Sequence, residues 1–413
     1  MYRLIIFIFL FFAAKNIFAQ DSLNSKMIED STYHLYQVKN WSGLIAFGNK
    51  ALEKGFDYYY LRLRMGIAYY EQKNYREAQK QFWKAYSFNS SEDVLMEYLY
   101  YCYISNTQYD EARKLSKKFS ETLTKKMKTG HLPFIESVFI EAGLKRISDL
   151  AISSDAAYGL FGIVNRVGRD LSLFHAVTIF DQRQKPQNFN QKEYYVSANI
   201  PVSKNWLVSP AFHFINRTIS FLPPPHQNGN GNGNGNNPPP SLVPPPITSS
   251  YYLTSLSIMR SISKFGFGVE GSWSNIDSIT QTQAAISLNF FPLGNNKLSF
   301  TCLGYMQKES ISKEYKYAFS PSVSATPFSK LILSASYLYN QAHHLSEMNG
   351  YVVNNSLDLT SSRIAFMGTI ILSRKVNFYM LYQSENKTQN HPKNNSTTNY
   401  SYNNIIGGFK FIL

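Results

Sequence analysis

The sequence predicts an α + membrane β protein: a short N-terminal α-solenoid followed by an antiparallel transmembrane β-barrel of about fourteen strands. Three observations predict it. A helical period of 34 residues runs through positions 21–130. Period-two alternation replaces it from Phe134 to the C-terminus. Short turns and longer polar connections alternate through 131–413.

The opening residues read as an export signal over 1–19. Arg3 supplies the positive charge, Leu4 to Ala14 form an apolar run too short to span a bilayer, and Ile17-Phe18-Ala19 place a small residue before Gln20-Asp21. No later apolar run is long enough for a transmembrane helix. Yet 15% of residues are aromatic, with 30 Tyr and 30 Phe, as in barrels whose exterior is apolar and whose interfaces carry aromatic girdles. The formal charge is +14, spread along the chain except for Lys114, Lys117, Lys118, Lys125, Lys126 and Lys128. That cluster is either a solvated helix face or a contact for anionic headgroups or an acidic partner. Nucleic acid is not an expected partner of an exported chain. Cys102 and Cys302 fall in different predicted domains and read as small apolar packers without a disulfide.

In the helical part the period is countable. With Tyr59 as position 1, Gly66, Tyr69, Tyr75, Ala78, Phe82 and Ala85 occupy positions 8, 11, 17, 20, 24 and 27. One period later stand Tyr100, Tyr103, Tyr109, Ala112, Ser116 and Phe119; one period earlier, Thr32, Leu35, Trp41, Leu44, Gly48 and Ala51. Small residues at positions 8, 20 and 27 let two helices approach, and aromatics at 11, 17 and 24 fill the space between units. The strings Lys39-Asn40-Trp41 and Lys73-Asn74-Tyr75 mark the same turn between helices. This pattern resembles the tetratricopeptide repeat, with units at 25–58, 59–92 and 93–126. Gly66, Tyr69, Tyr75, Ala78, Phe82, Ala85, Tyr103, Tyr109 and Ala112 are the expected packing residues. The resemblance implies a surface for a periplasmic protein partner; a structural spacer is the alternative.

The second part alternates by twos. Tyr315, Tyr317, Phe319, Val323 and Ala325 share one face and Lys316, Ala318, Ser320, Ser322 and Ser324 the other. Phe265, Phe267, Val269 and Trp273 likewise oppose Gly266, Gly268, Glu270 and Ser272; Trp206, Val208, Phe212 and Phe214 oppose Ser209 and His213. Short turns are expected at 168–170, 203–205, 263–266, 293–296, 328–330 and 373–375. Longer outer loops are expected at 148–156, 184–190, 221–249, 275–280, 308–313, 341–355 and 386–399. The loop 221–249, with Pro223-Pro224-Pro225 and Asn-Gly repeats, reads as disordered. The last strand places Ile405, Phe409, Phe411 and Leu413 on the lipid face. It resembles the terminal strand that the barrel-insertion machinery recognises, although it ends in Leu413 where Phe is usual. Outer-membrane lipid is the surrounding partner.

No catalytic residue, cofactor site or metal site is predicted. There is no Gly-x-Ser-x-Gly elbow, phosphate loop or helical His pair, and His343-His344 are adjacent in a loop. His175, His213 and Ser209 are the residues a lipid-acting barrel enzyme would draw on. The order of export signal, repeats and barrel resembles YaiO-like outer-membrane proteins and exopolysaccharide export porins. That resemblance implies an outer-membrane protein with its repeats in the periplasm, acting as a pore or export component. A non-conducting assembly or scaffold protein and a lipid-acting barrel enzyme are the alternatives.

Overall fold

The computed structural model describes residues 24–131, 133–148, 154–184, 187–221, 244–354, 358–391 and 396–413. The expected export signal, and most of the low-complexity loop, lie outside the described residues. The chain divides into two compact units, Met1–Tyr98 and Leu99–Leu413.

The first unit is helical. Helices α1 (Ser25–Gln37), α2 (Trp41–Glu53), α3 (Tyr59–Glu71) and α4 (Tyr75–Phe88) are followed by α5 (Asp93–Ser105), which runs across the division. Asn24, Asn40 and Asn74 cap the first, second and fourth, each side chain accepting from a backbone N–H in the first turn. The core is Ile28, Leu44, Ala51, Leu61, Met65 and Ala68. A Cβ at Gly66 would collide with the Phe82 ring, so glycine there allows the close approach of α3 and α4. Ala78 and Ala85 are buried, Phe82 stacks on Tyr98, Tyr69 packs at the edge of the core and Tyr75 meets Tyr70 edge-on. The turn after the first helix of each pair recurs with the expected spacing: Lys39, Lys73 and Thr107 all adopt positive φ, and the N–H groups of Asn40, Asn74 and Gln108 bond back to Leu35, Tyr69 and Tyr103.

In the second unit, fourteen antiparallel strands close into a barrel. They are β1 (Ile135–Ile147), β2 (Ala156–Val167), β3 (Leu171–Gln184), β4 (Gln187–Ser203), β5 (Trp206–Phe221), β6 (Ile247–Ile262), β7 (Phe265–Ile276), β8 (Ile279–Phe290), β9 (Leu298–Glu309), β10 (Tyr315–Phe328), β11 (Leu331–Asn340), β14 (Leu359–Ile371), β15 (Val376–His391) and β16 (Ser396–Ile412). A hairpin of β12 (Ser346–Glu347) and β13 (Val352–Val353) forms a separate two-stranded sheet. Closure joins the ends of the sheet, with β1 and β16 in register from Ser137↔Ile412 to Ile147↔Tyr402.

Alternation sorts the side chains. Tyr315, Tyr317, Phe319 and Val323 are exposed on the exterior while Ala318 and Ser320 are buried inside. Ile405, Phe409 and Leu413 are exposed and Phe411 half-buried, opposite the buried Asn404. An apolar exterior on a closed barrel is what a bilayer requires, because every backbone group is paired and no edge meets lipid. The unit is an outer-membrane barrel.

Several expected boundaries differ. The predicted loop at 275–280 is a two-residue turn, Asp277-Ser278, with both residues at positive φ, as the tightest hairpins require. Most of 184–190 and 386–399, and residues 247–249, are strand. These segments are polar, and composition reads as loop, but cross-strand pairs such as Asn190↔Thr218 and Thr388↔Asn399 hold them in the wall. The connection 291–297 at the short-turn end is longer than expected.

The domain boundary moves as well. Period changes near 130, but packing changes at Tyr98/Leu99, which splits the third expected repeat. Helices α6 (Tyr109–Leu115) and α7 (Glu121–Met127) belong with the barrel. Lys117 pairs with Asp170 in the β2/β3 turn, and Arg169 of that turn donates to the Ser116 and Thr129 carbonyls at 3.0 and 2.6 Å. Lys114 reaches the Val202 carbonyl at 3.0 Å, Arg113 pairs with Glu136 at 3.4 Å, and Asn296 in the β8/β9 connection donates to Thr107 at 3.0 Å. The β2/β3 and β8/β9 turns are six strands apart in a ring of fourteen, so this helical segment crosses the short-turn mouth. Tyr103 and Ala112 are buried in it and Tyr109 is exposed.

Two outcomes are expected in the helical unit. Gly66→Ala should destabilise it by about 1–3 kcal/mol through overpacking, read by hydrogen exchange of 59–88 in the full chain, with partial rescue by Phe82→Leu. Arg64, bonded to Glu29 at 2.6 Å, holds that carboxyl below its ordinary value of 4.5. A depressed carboxylate contributes stability that is present above the unfolded value and lost as pH falls through the folded one. Protection of α1 should therefore fall on acidification below that range, and Glu29→Gln should remove the pH dependence.

Candidate functional site: the lumen and its inward loop

A ring of fourteen strands encloses a lumen too wide for its own side chains to fill. Its wall carries many polar groups, among them His213, Ser255, Gln283, Gln307, Asn340, Glu385 and Lys387, all buried. Buried polar groups need partners. Much of the partnership comes from residues 341–354 of the β11–β14 connection. Expected to be an outer loop, it turns into the lumen instead.

The loop is clamped at its root. Asn340 donates to the Ala342 and Thr360 carbonyls at 2.8 and 2.9 Å and accepts from Ala342 N–H at 2.8 Å. From there β12 and β13 pair, Ser346 with Val353 and Glu347 with Val352. The turn between them, Met348-Asn349-Gly350, has three successive positive φ angles. Glycine at the third position is also a matter of space, since a Cβ there would strike Leu253.

The apolar residues of the loop explain the inward turn. Leu345 is fully buried with Ala285, Tyr305, Ala318 and Leu338. Val353 packs against Ile215, Tyr251 and Ile276. Tyr351 meets Phe174 and Tyr195 edge-on, with ring centroids 5.5 and 5.1 Å apart. In water these groups would be exposed; inside they are covered.

Polar contacts fix the tip on the opposite wall. The Asn349 carbonyl accepts from Tyr195 on β4 at 3.1 Å and from Ser255 on β6 at 2.8 Å. Its N–H donates to Glu270 on β7 at 3.2 Å, and its amide donates to the Ser209 carbonyl on β5 at 2.9 Å. His213 Nδ1 donates to the Gly350 carbonyl at 2.8 Å, and its Nε2 faces Glu193 at 3.0 Å. Along the way Gln283 pairs with the Ser346 backbone at 2.6 and 3.2 Å, and Arg363 donates twice to Glu347 at 2.8 and 2.6 Å. The loop leaves between β11 and β14 and ends against β4–β7, so it bars the lumen across its width.

The residues considered for lipid chemistry are not brought together. His175 lies on the exterior and bonds to Tyr194 at 2.7 Å. Ser209 donates to Asn199 at 2.8 Å, and His213 is engaged by the loop. His344 is buried 3.7 Å from Asp277, and its ring centroid is 6.4 Å from that of His343. Among the described residues no group of three or more His, Cys, Asp or Glu side chains is placed to hold a metal ion. Cys102 is buried and Cys302 exposed, both free. Sequence reasoning expected a loop at 341–355 but missed its inward path. The available signal was apolar: Leu345 and Tyr351-Val352-Val353 are poor choices for a segment in water.

No family model matches the chain, and no curated protein matches it. Similar solved structures include a TodX deltaS2S3 mutant monoaromatic hydrocarbon channel, at 7% identity over 68% of this chain and 91% of that one, with a TM-score of 0.45. The Ralstonia pickettii toluene transporter TbuX follows at 7% identity, 68% and 90% coverage and a TM-score of 0.44. A Pseudomonas aeruginosa FadL homologue shows 8% identity, 67% and 90% coverage and a TM-score of 0.39. At these similarities none of them assigns a solute to this chain, and the tetratricopeptide, YaiO-like and export-porin resemblances are not shown by them.

Gly350→Val should unseat the tip, combining a strained φ with a clash. Hydrogen exchange of 345–353 should rise by at least tenfold while the wall strands keep their protection.

Proposed function

We propose that this protein is a gated outer-membrane channel, a pore or export component for an as yet unidentified solute or polymer. In this reading residues 341–354 are the gate. The helical repeats lie in the periplasm and dock a protein partner, and the connections opposite the short turns face outward. The observation that carries it is the loop fixed across the lumen by contacts at its tip. A neutral hydrogen bond contributes on the order of 1 kcal/mol net. Such contacts hold the closed arrangement, and each can be exchanged for water when the loop leaves.

A non-conducting scaffold remains the second reading. The helical segment across the short-turn mouth favours it, because that segment and the loop obstruct opposite ends of one lumen.

A cross-link separates the two. Ser255→Cys with Asn349→Cys, in a chain with Cys102 and Cys302 replaced, joins tip to wall. Planar-bilayer conductance should be absent when the pair is oxidised and appear on reduction. If no open state is seen after reduction, after shortening of 343–356, or after removal of the helices, the channel reading fails and the scaffold stands.

A further inference from the structure

The contact between Arg363 and Glu347 has the form of a ligand held in a site. One terminal nitrogen of the guanidinium on β14 contacts both carboxylate oxygens, at 2.8 and 2.6 Å, and the side chains are 14% and 9% exposed. A charge-assisted pair of this kind suits a carboxylate. The wall around it is cationic. Lys145 on β1 lies 3.0 Å from Glu385, and Lys387 lies 3.9 Å from the same carboxylate with only 1% of its surface exposed. Arg363 and Glu385 are direct cross-strand partners. Lys387 also approaches the Asn354 amide oxygen at 3.4 Å, and Asn404 donates to Glu385 at 3.2 Å. Asp358, at the foot of β14, accepts from Tyr400.

Three cations thus face three carboxylates: Glu385 from the wall, Asp358 from the root of the loop and Glu347 from the moving part. Swinging the loop out removes the carboxylate that Arg363 bonds and leaves Glu385 shared among Arg363, Lys145 and Lys387. Separating a sheltered ion pair is unfavourable unless another anion takes the vacated place.

We propose that Arg363 is a lumen binding site for carboxylate-bearing solutes, occupied in the closed state by the loop's own Glu347, which a solute carboxylate displaces. Displacement trades one charge-assisted pair for another and releases the hairpin at its side. The site deepens the channel reading and rests on it only for the consequence that release opens the lumen.

Glu347→Gln empties the site of its internal anion, and binding is measurable in the detergent-solubilised full chain without conduction. Gluconate should bind Glu347→Gln at least tenfold more tightly than the wild type by calorimetry. Glu347→Gln with Arg363→Gln should lose that binding, and glucose should bind none of them. In the wild type, saturating gluconate should raise hydrogen exchange of 345–353. Glu347→Asp, which keeps the charge but shortens the reach, should fall between the two affinities and serves if Glu347→Gln does not fold. Equal gluconate affinity across wild type and variants overturns the site, and so does binding of inorganic phosphate in place of gluconate. Gluconate binding in a chain that never conducts leaves the site standing and removes the channel.

Discussion

The pairing of β1 with β16 is the constraint on which the rest of the structure depends. Before closure, each end strand would present a row of unpaired N–H and C=O groups, a cost that neither lipid nor water-free protein absorbs. The register from Ser137↔Ile412 to Ile147↔Tyr402 removes both edges at once. It also sets the circumference. A ring of this size cannot be filled by its inward side chains, so closure creates an interior that must hold water or protein.

The inward loop answers that second demand. Its apolar residues cover the apolar patches of the wall, and its backbone and amide groups pair with polar side chains that the alternation forces inward. Leu345 and Asn349 show the two halves of this fit: one is sealed among Ala285, Tyr305, Ala318 and Leu338, the other is bonded to four strands of the far wall. Neither half alone would hold residues 341–354 against their conformational entropy, which costs about 1–2 kcal/mol per ordered residue. The arrangement is therefore cooperative, and a change at the tip or at Arg363 is felt by the whole hairpin.

At the other mouth the chemistry differs. The helical segment after Leu99 is fastened by charge, through Lys117 with Asp170, Arg169 with two carbonyls, and Arg113 with Glu136. The exposed Lys117–Asp170 pair is weak and sensitive to salt, whereas Arg113 is buried. One end of the lumen is thus closed by a packed hairpin and the other crossed by an electrostatic clasp.

Local pattern in the sequence determined the helical period, the period-two faces, the number of strands and the position of most turns. These properties depend on residues a few positions apart: Gly66 and Tyr69 one turn apart on a helix, Tyr317 and Phe319 on one face, the turns at Lys39-Asn40 and Lys73-Asn74. Turn length was less legible, because a strand that rises past the apolar layer is as polar as a loop, and only its cross-strand partner reveals it. The site was not legible. Asn349 meets Tyr195, Ser255 and Glu270 across separations of about 80 to 150 residues, and Arg363 meets Glu347 only because the loop turns inward. Which surface a loop covers is decided when the barrel closes and its interior needs filling. That decision belongs to the tertiary structure, since no short stretch of sequence contains both sides of the contact.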